Sequence, residues 1–252
     1  MARVIVVGSI NQDVTVTVDR FPTPGETLSG SSLTYGLGGK GANQAAAAAR
    51  SGIPTLFVGA VGTDLAGHSL RTHLAAHGVD VSHLREVDSP SGTALITVAA
   101  SGENTIILDA GANRASSIAH AKASLFPAPS DIVVLQAEIP PAANAAAIEW
   151  AHSFGARVLL NLAPARATDP ATLSRVDILV VNETEAGLTL GMPAPATPTE
   201  AIGVARALRG MGPRHVVVTL GAQGAAWVSG AEVGHCPAVT LGEVADTTGA
   251  GD

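Results

Sequence analysis

Cysteine is nearly absent. The single one, Cys236, cannot form a disulfide within the chain, which suits a reducing compartment such as the cytoplasm. Aromatic residues make up only 3%, so a core has to be assembled from Ala, Val, Leu and Ile, and a hydrophobic content of 46% supplies ample material. Basic residues are also few, 14 Lys and Arg against 21 Asp and Glu, for a formal net charge of −7. No basic run and no basic–aromatic interleaving occurs, which argues against a nucleic-acid binder. An anionic nucleotide is a different matter, because backbone N–H groups and one Lys can hold it. No apolar stretch approaches the length of a membrane span. The apolar run at the N-terminus reaches Asn11 and Asp13 too soon for a signal sequence.

What is present fits one large α/β domain or two small ones in 252 residues. Val4–Val7 reads as a strand buried on both faces. Asn11 and Asp13 follow at its carboxyl end, where open α/β sheets bind ligands. They either point into such a crevice or form an Asx turn. Val14–Asp19 then alternates, Phe21–Glu26 turns, and Thr27–Tyr35 returns as a polar strand, so a hairpin interrupts the parallel domain. The stretch Gly36-Leu37-Gly38-Gly39-Lys40-Gly41 satisfies G-x-G-x-x-G formally. It lacks the buried strand that a dinucleotide fingerprint needs before it, and Gly41 stands where a P-loop has Ser or Thr. Its glycines instead let the backbone pass close to a small ligand, with Lys40 and Asn43 as donors. An Ala-rich helix is expected over Ala45–Arg50, ended by Gly52.

Thr55–Val61 is a second buried strand and Leu65–His77 a helix capped by Gly78. His68, His73 and His77 fall near one another on it, but no carboxylate accompanies them and they read as solvated. Thr93–Ala100 and Thr105–Asp109 form a second hairpin, expected to join the first in one small sheet. Val14, Val16 and Val18 line one face of that sheet, and Ile96 and Val98 are expected to do likewise. After Gly111 the rhythm is regular: strands at Asp131–Gln136, Arg157–Asn161, Ile178–Asn182 and His215–Leu220, helices at Ala142–Phe154, Glu183–Leu190 and Thr199–Met211. Such alternation implies a parallel sheet covered on both faces. Glu138, Asn182, Glu185 and Gly221 sit just after strands. Asn182 and Glu185 also fit a capping box. Thr219-Leu220-Gly221-Ala222-Gln223-Gly224 is either a backbone approach to a ligand or a tight turn into a strand at Ala225–Ser229.

The last stretch, Asp246-Thr247-Thr248-Gly249-Ala250-Gly251-Asp252, is either a surface turn, since Gly and Asp favour turns, or the opening of a phosphate site. No large side chain blocks its N–H groups from turning inward together. A helix starting there would offer its N-terminus to phosphate oxygens. Asp252 would then stand beside the transferring group, able to accept the proton of an attacking hydroxyl.

Together these stretches resemble the ribokinase-like family of ATP-dependent sugar kinases, from Val4 to Asp252. Gly8-Ser9-Ile10-Asn11, Phe21-Pro22-Thr23-Pro24-Gly25-Glu26-Thr27 and Gly38-Gly39-Lys40-Gly41-Ala42-Asn43-Gln44-Ala45 look like its sugar-side signatures. Asn182-Glu183-Thr184-Glu185 and the terminal stretch look like its nucleotide-side signatures. The resemblance implies an α/β, three-layer αβα sandwich with a mostly parallel central sheet and a small β-sheet lid. The core would comprise residues 1–13, 36–92 and 111–252, and the lid 14–35 and 93–110. It further implies transfer of the γ-phosphoryl of ATP to the primary hydroxyl, O5, of D-ribose. Asn11, Asp13, Gly39, Lys40, Asn43 and Glu138 would hold the sugar. Asn182 would contact the nucleotide phosphates, Glu185 would organise Mg²⁺ through water, and Thr219, Gly221 and Gly224 would line the ATP site. Gly249, Ala250 and Gly251 would form the anion hole, with Asp252 as base. Backbone oxygens of Asp246 and Thr248 would form part of a K⁺ site. A cytoplasmic homodimer paired through the lid is expected. Family members continue past the corresponding aspartate, so the sequence is expected to be a fragment. A kinase for another sugar or a nucleoside, or a non-catalytic sugar-binding form, stays open at this point. Leu162 departs from the usual pattern, standing where Pro is common.

Overall fold

Uninterrupted β-branched runs build the centre of the molecule. The computed structural model describes residues 2–166 and 168–239. Its first half comprises β1 (Val4–Val7), β2 (Asn11–Val18), β3 (Ser32–Gly38), α1 (Lys40–Arg50), β4 (Thr55–Gly62), α2 (Leu65–Ala76), β5 (Asp80–Val87), β6 (Gly92–Ala99) and β7 (Asn104–Asp109). The second comprises β8 (Ile132–Gln136), α3 (Pro141–Ser153), β9 (Arg157–Asn161), α4 (Pro170–Leu173), β10 (Ile178–Asn182), α5 (Glu183–Leu190), α6 (Pro198–Arg209), β11 (His215–Thr219), β12 (Ala225–Ser229) and β13 (Glu232–Cys236). Single 3-10 turns occur at Gly111–Ala115 and Gly221–Gln223.

Nine strands form one sheet in the order β13-β12-β11-β10-β9-β8-β1-β4-β5. From β11 to β5 every pair is parallel, and β12 and β13 add an antiparallel hairpin at one edge. Strand pleating sorts the side chains between two helical layers. Ile5, Val7, Val133 and Leu135 pack with α3, α5 and α6 through Ala147, Ile148, Ala186, Val204 and Leu208. Val6, Phe57, Val61 and Val134 pack with α1 and α2 through Ala42, Ala45, Leu70 and Leu74. Full burial of a Leu of this kind contributes about 1.5–3 kcal/mol. The result is the expected three-layer α/β sandwich.

Asp64 starts α2. Its carboxylate accepts the Gly67 N–H at 2.8 Å, and also the N–H and Oγ–H of Ser91 at 2.8 and 2.6 Å. Burial pushes the Asp64 carboxyl up, but these hydrogen bonds outweigh it and hold the group below the usual carboxylate range. The helix start is thereby tied to the beginning of β6.

The second sheet has the order β3-β2-β6-β7. Each outer strand forms an antiparallel hairpin with an inner one, and the inner two, β2 and β6, join in parallel. All four crossings between this sheet and the core lie at one end: Asn11 pairs with both Gly38 and Gly92, and Thr93 with Asp109.

Several expectations change here. Asn11 and Asp13 are strand residues of β2 rather than an Asx turn. The return strand begins at Ser32 and runs on through Gly38, and α1 starts at Lys40, five residues early, because Gly39 adopts φ 87° and turns the chain directly into the helix. The polar edge strands β5 and β13, and the single-turn α4, are additions. Ile96 and Val98 do not share the valine face: they pair with Thr15 and Thr17, whereas Val14 pairs with Tyr35 and Leu95. The parallel join between the hairpins sets this register, and a one-residue difference exchanges the faces. Apolar residues therefore occupy both faces, with Ala94, Ile96, Ile106 and Leu108 beside Asp13, and Leu33, Tyr35, Leu95 and Ile107 beside Val14.

Candidate active site

The site is built where β1, β2, β3 and α1 meet. A Cβ at Gly39 would stand 2.9 Å from both Asn11 N and Ile10 Cα, so only glycine lets the two segments pass this closely. The first N–H groups of α1 are already taken. Lys40 N–H donates to Glu138 Oε2 at 3.0 Å, Gly41 N–H to Ser9 Oγ at 3.3 Å, and Ala42 N–H to Ser9 O at 2.9 Å. Ser9 Oγ–H in turn donates to Glu138 Oε2 at 2.6 Å. A carboxylate at this helix end complements the dipole. Glu138, from just beyond β8, is thus bound to the Gly39–Lys40 turn across the sheet.

Asn11 is buried and held by Asn113, itself buried on the first 3-10 turn. Asn113 Nδ2 donates to Asn11 Oδ1 at 2.7 Å and to Ile10 O at 3.1 Å, while its Oδ1 accepts Ile10 N–H at 3.0 Å. The Asp13 carboxylate lies across Gly38, where any Cβ would stand 2.0 Å from Oδ1. Asn43 is one turn into α1, its N–H donating to Gly39 O at 3.0 Å. Asn11, Asp13, Gly39, Lys40, Asn43 and Glu138 therefore come from adjoining segments of one corner. At the far end of the β2–β3 hairpin, the Phe21–Glu26 loop is pinned by Glu26, whose carboxyl the Arg20 guanidinium lowers to about 2, helped by the Thr23 N–H.

At the carboxyl ends of the next strands, Asn182 and Glu185 form a reciprocal capping box. Asn182 N–H donates to Glu185 Oε2 at 2.9 Å and Glu185 N–H to Asn182 Oδ1 at 2.8 Å. Glu185 is buried. A cavity of about 60 Å³ is lined by Lys40, Asn161, Asn182, Glu185 and Thr219 among others. Lys40 thus joins the corner described above to the ends of β9, β10 and β11. Gly221 and Gly224 lie beyond this cavity. Gly224 has a packing reason of its own, since a Cβ there would meet Cys236 O at 2.0 Å with φ at 90°. Asp246, Thr248, Gly249, Ala250, Gly251 and Asp252 lie outside the described residues.

Ser9, Asn113 and Asn161 are additions to the sequence reading. Ser9 stands inside a segment already singled out and Asn161 ends a strand already drawn. Asn113 sits in Gly111-Ala112-Asn113-Arg114-Ala115, which offers no periodicity to flag it.

The family profile described as pfkB family carbohydrate kinase matches residues 1–252. A ribokinase of Haemophilus influenzae is 37% identical over 249 residues, spanning 98% of this chain and 81% of that protein. A deoxyribokinase of Salmonella typhimurium is 35% identical, spanning 99% of this chain and 82% of that protein. The structure of Arabidopsis thaliana ribokinase complexed with ribose and ATP superimposes with a TM-score of 0.86 at 33% identity, covering 100% of this chain and 83% of that one.

Proposed function

The chain belongs to the pfkB family of carbohydrate kinases, and on that premise we propose that it transfers the γ-phosphoryl group of ATP to O5 of D-ribose. The observation that carries this reading is the shared cavity, which sets Lys40 against Asn182, Glu185 and Thr219. Sugar and phosphates have to meet where these two groups of residues meet. Asn11, Asp13, Gly39, Asn43 and Glu138 orient the sugar hydroxyls, and the Ser9–Glu138 and Asn113–Asn11 bonds keep those side chains from reorganising. Such fixed positioning supplies most of phosphoryl-transfer catalysis, because the transition state is loose. The O5 proton passes to Asp252 as the O5–P bond forms, the bond from the γ-phosphorus to the bridging oxygen breaks, and ADP leaves. N–H groups of Gly249, Ala250 and Gly251 stabilise the charge on the transferring group. Thr219, Gly221 and Gly224 serve the nucleotide.

A buried carboxylate facing the phosphate cavity suits Glu185 to Mg²⁺ held through water, and the ion would neutralise phosphate charge there. The proposed K⁺ site uses backbone oxygens of Asp246 and Thr248. No helix among the described residues is long and apolar enough to cross a membrane, and the lone cysteine supports a cytoplasmic place of work. The lid is taken as 14–35 and 93–110. Leu33, Tyr35, Leu95 and Ile107 are each more than half exposed on it. A small sheet with such faces needs a cover, which supports a homodimer through the lid. Light scattering should give a dimer mass that falls to the monomer in Ile107→Asp, and a monomeric wild type would remove the idea.

Assays of ADP release with ribose, 2-deoxyribose and adenosine test the substrate. Ribose should give the highest kcat/KM and yield ribose 5-phosphate. Preference for adenosine, or no turnover of any pentose, would overturn the assignment.

A further inference from the structure

We propose a second, separate anion site at the opposite end of the parallel sheet, for inorganic phosphate or a small phosphomonoester. It does not rest on the kinase reading. An open cavity of about 370 Å³, within the usual size of small-ligand sites, lies at the amino ends of β9, β10 and β11. Its lining includes Arg157, Arg175 and Arg214 together with His152, Ser174 and Asp177. Three of the chain's 14 Lys and Arg thus converge on one cavity of a protein with net charge −7. A fourth guanidinium, Arg209, adjoins it and donates through Nε to Arg214 O at 3.3 Å.

Of the Arg157, Arg175 and Arg214 guanidinium groups, only that of Arg175 hydrogen-bonds a carboxylate among the described residues. Asp177 Oδ2 accepts the Val158 N–H at 2.9 Å. His152 Nε2 stands 3.6 Å from Asp177 Oδ2, and Arg214 Nε 3.7 Å from Asp177 Oδ1, both beyond hydrogen-bond distance. Arg175 meets Glu149 at 3.1 Å in a solvent-exposed pair, of a kind worth little. The Arg157 side chain makes no hydrogen bond to any described residue. Planar guanidinium forks are the side chains best matched to phosphate oxygens. The wall between them is firmly set. Gly212, at φ 132°, presses so closely on the Ser174 turn that a Cβ would stand 2.2 Å from Ser174 Cα. A preformed cavity, unspent forked donors and a local excess of positive charge point to a phosphate-class ligand. The cavity lined by Lys40, Asn161, Asn182, Glu185 and Thr219 lies at the carboxyl ends of the same three strands, so the two sites do not overlap.

Isothermal titration at fixed ionic strength, with inorganic phosphate in one arm and glycerol 3-phosphate in the other, tests this. Wild type and Lys40→Ala should bind at least one of the two saturably in the millimolar range, and the arm that binds tighter identifies the source. Arg157→Ala/Arg214→Ala should weaken that binding about tenfold or more, the effect of one lost charge-assisted hydrogen bond, and leave ribose affinity unchanged. Arg157→Ala alone removes no hydrogen bond from the fold, so it keeps the test decisive if the double variant is unstable. No saturable binding by wild type would overturn the proposal. So would binding lost in Lys40→Ala and kept in Arg157→Ala.

Discussion

Replacing Asn113 by Ala should damage both the fold and the sugar site. The side chain makes three hydrogen bonds, at 2.7, 3.0 and 3.1 Å, and all its partners are buried. Each such bond contributes about 1 kcal/mol net, and each buried group left without a partner carries a further penalty, so the loss should be roughly 2–4 kcal/mol. For a domain of this size that lowers Tm by roughly 5–12 °C. The Asn11 amide also loses its anchor, and the ribose KM should rise about tenfold, equivalent to one well-placed hydrogen bond. Asn113→Asp sharpens the reasoning. It keeps an acceptor for Ile10 N–H but sets a carboxylate oxygen against Ile10 O and Asn11 Oδ1. It should be worse than Ala at neutral pH and recover partly in acid, where the protonated carboxyl can donate. Thermal and urea unfolding with ribose kinetics read all of this. An Asn113→Ala protein within about 0.5 kcal/mol of wild type, with unchanged KM, would refute the argument.

Asp252→Asn should lower kcat by at least about a hundredfold with little change in ribose affinity, as expected for a base, whereas Lys40→Ala should mainly weaken binding. Near-normal kcat with collapsed ribose affinity in Asp252→Asn would make that residue a binding group only. Glu185→Gln keeps an oxygen for the Asn182 N–H but removes the charge at the cavity, so the apparent Mg²⁺ requirement should rise about tenfold or more while Tm stays close to wild type; unchanged metal dependence would exclude it from that role. Because the folded Asp64 carboxyl is depressed, its stabilisation is fully present above the ordinary Asp pKa of about 4 and is lost as pH falls through the lower folded value. Asp64→Asn should therefore be less stable than wild type near neutrality and lose less on acidification, and parallel pH profiles would contradict this.

The core was legible because its strands are short apolar runs between helix-forming stretches. Val4–Val7 and Ile178–Asn182 look like nothing else. Edge strands hide better: in Asp80-Val81-Ser82-His83-Leu84-Arg85-Glu86-Val87 five of eight residues are charged or polar, and the segment resembles a surface loop. The two hairpins were visible, but not their relative register, which depends on pairing between segments some eighty residues apart. The error over Ile96 and Val98 follows from that. At the site, Asn182 and Glu185 announce themselves by spacing. Asn113 acts through a contact 102 residues distant in sequence, and no local pattern encodes it.

The four crossings gathered at one end of the small sheet determine how it can move. The sheet is a cantilever, clamped along the line from Gly38 through Asn11 and Gly92 to Asp109. At about 3.3 Å per residue, Val18 lies roughly 23 Å from the clamp and Asp13 roughly 7 Å. A rigid swing of about ten degrees then carries the far tip roughly 4 Å and Asp13 only about 1 Å. If such a plate opened and shut over a ligand, it would admit and shield it with large travel at its rim. The side chains proposed to hold the sugar would stay almost still beside the pivot.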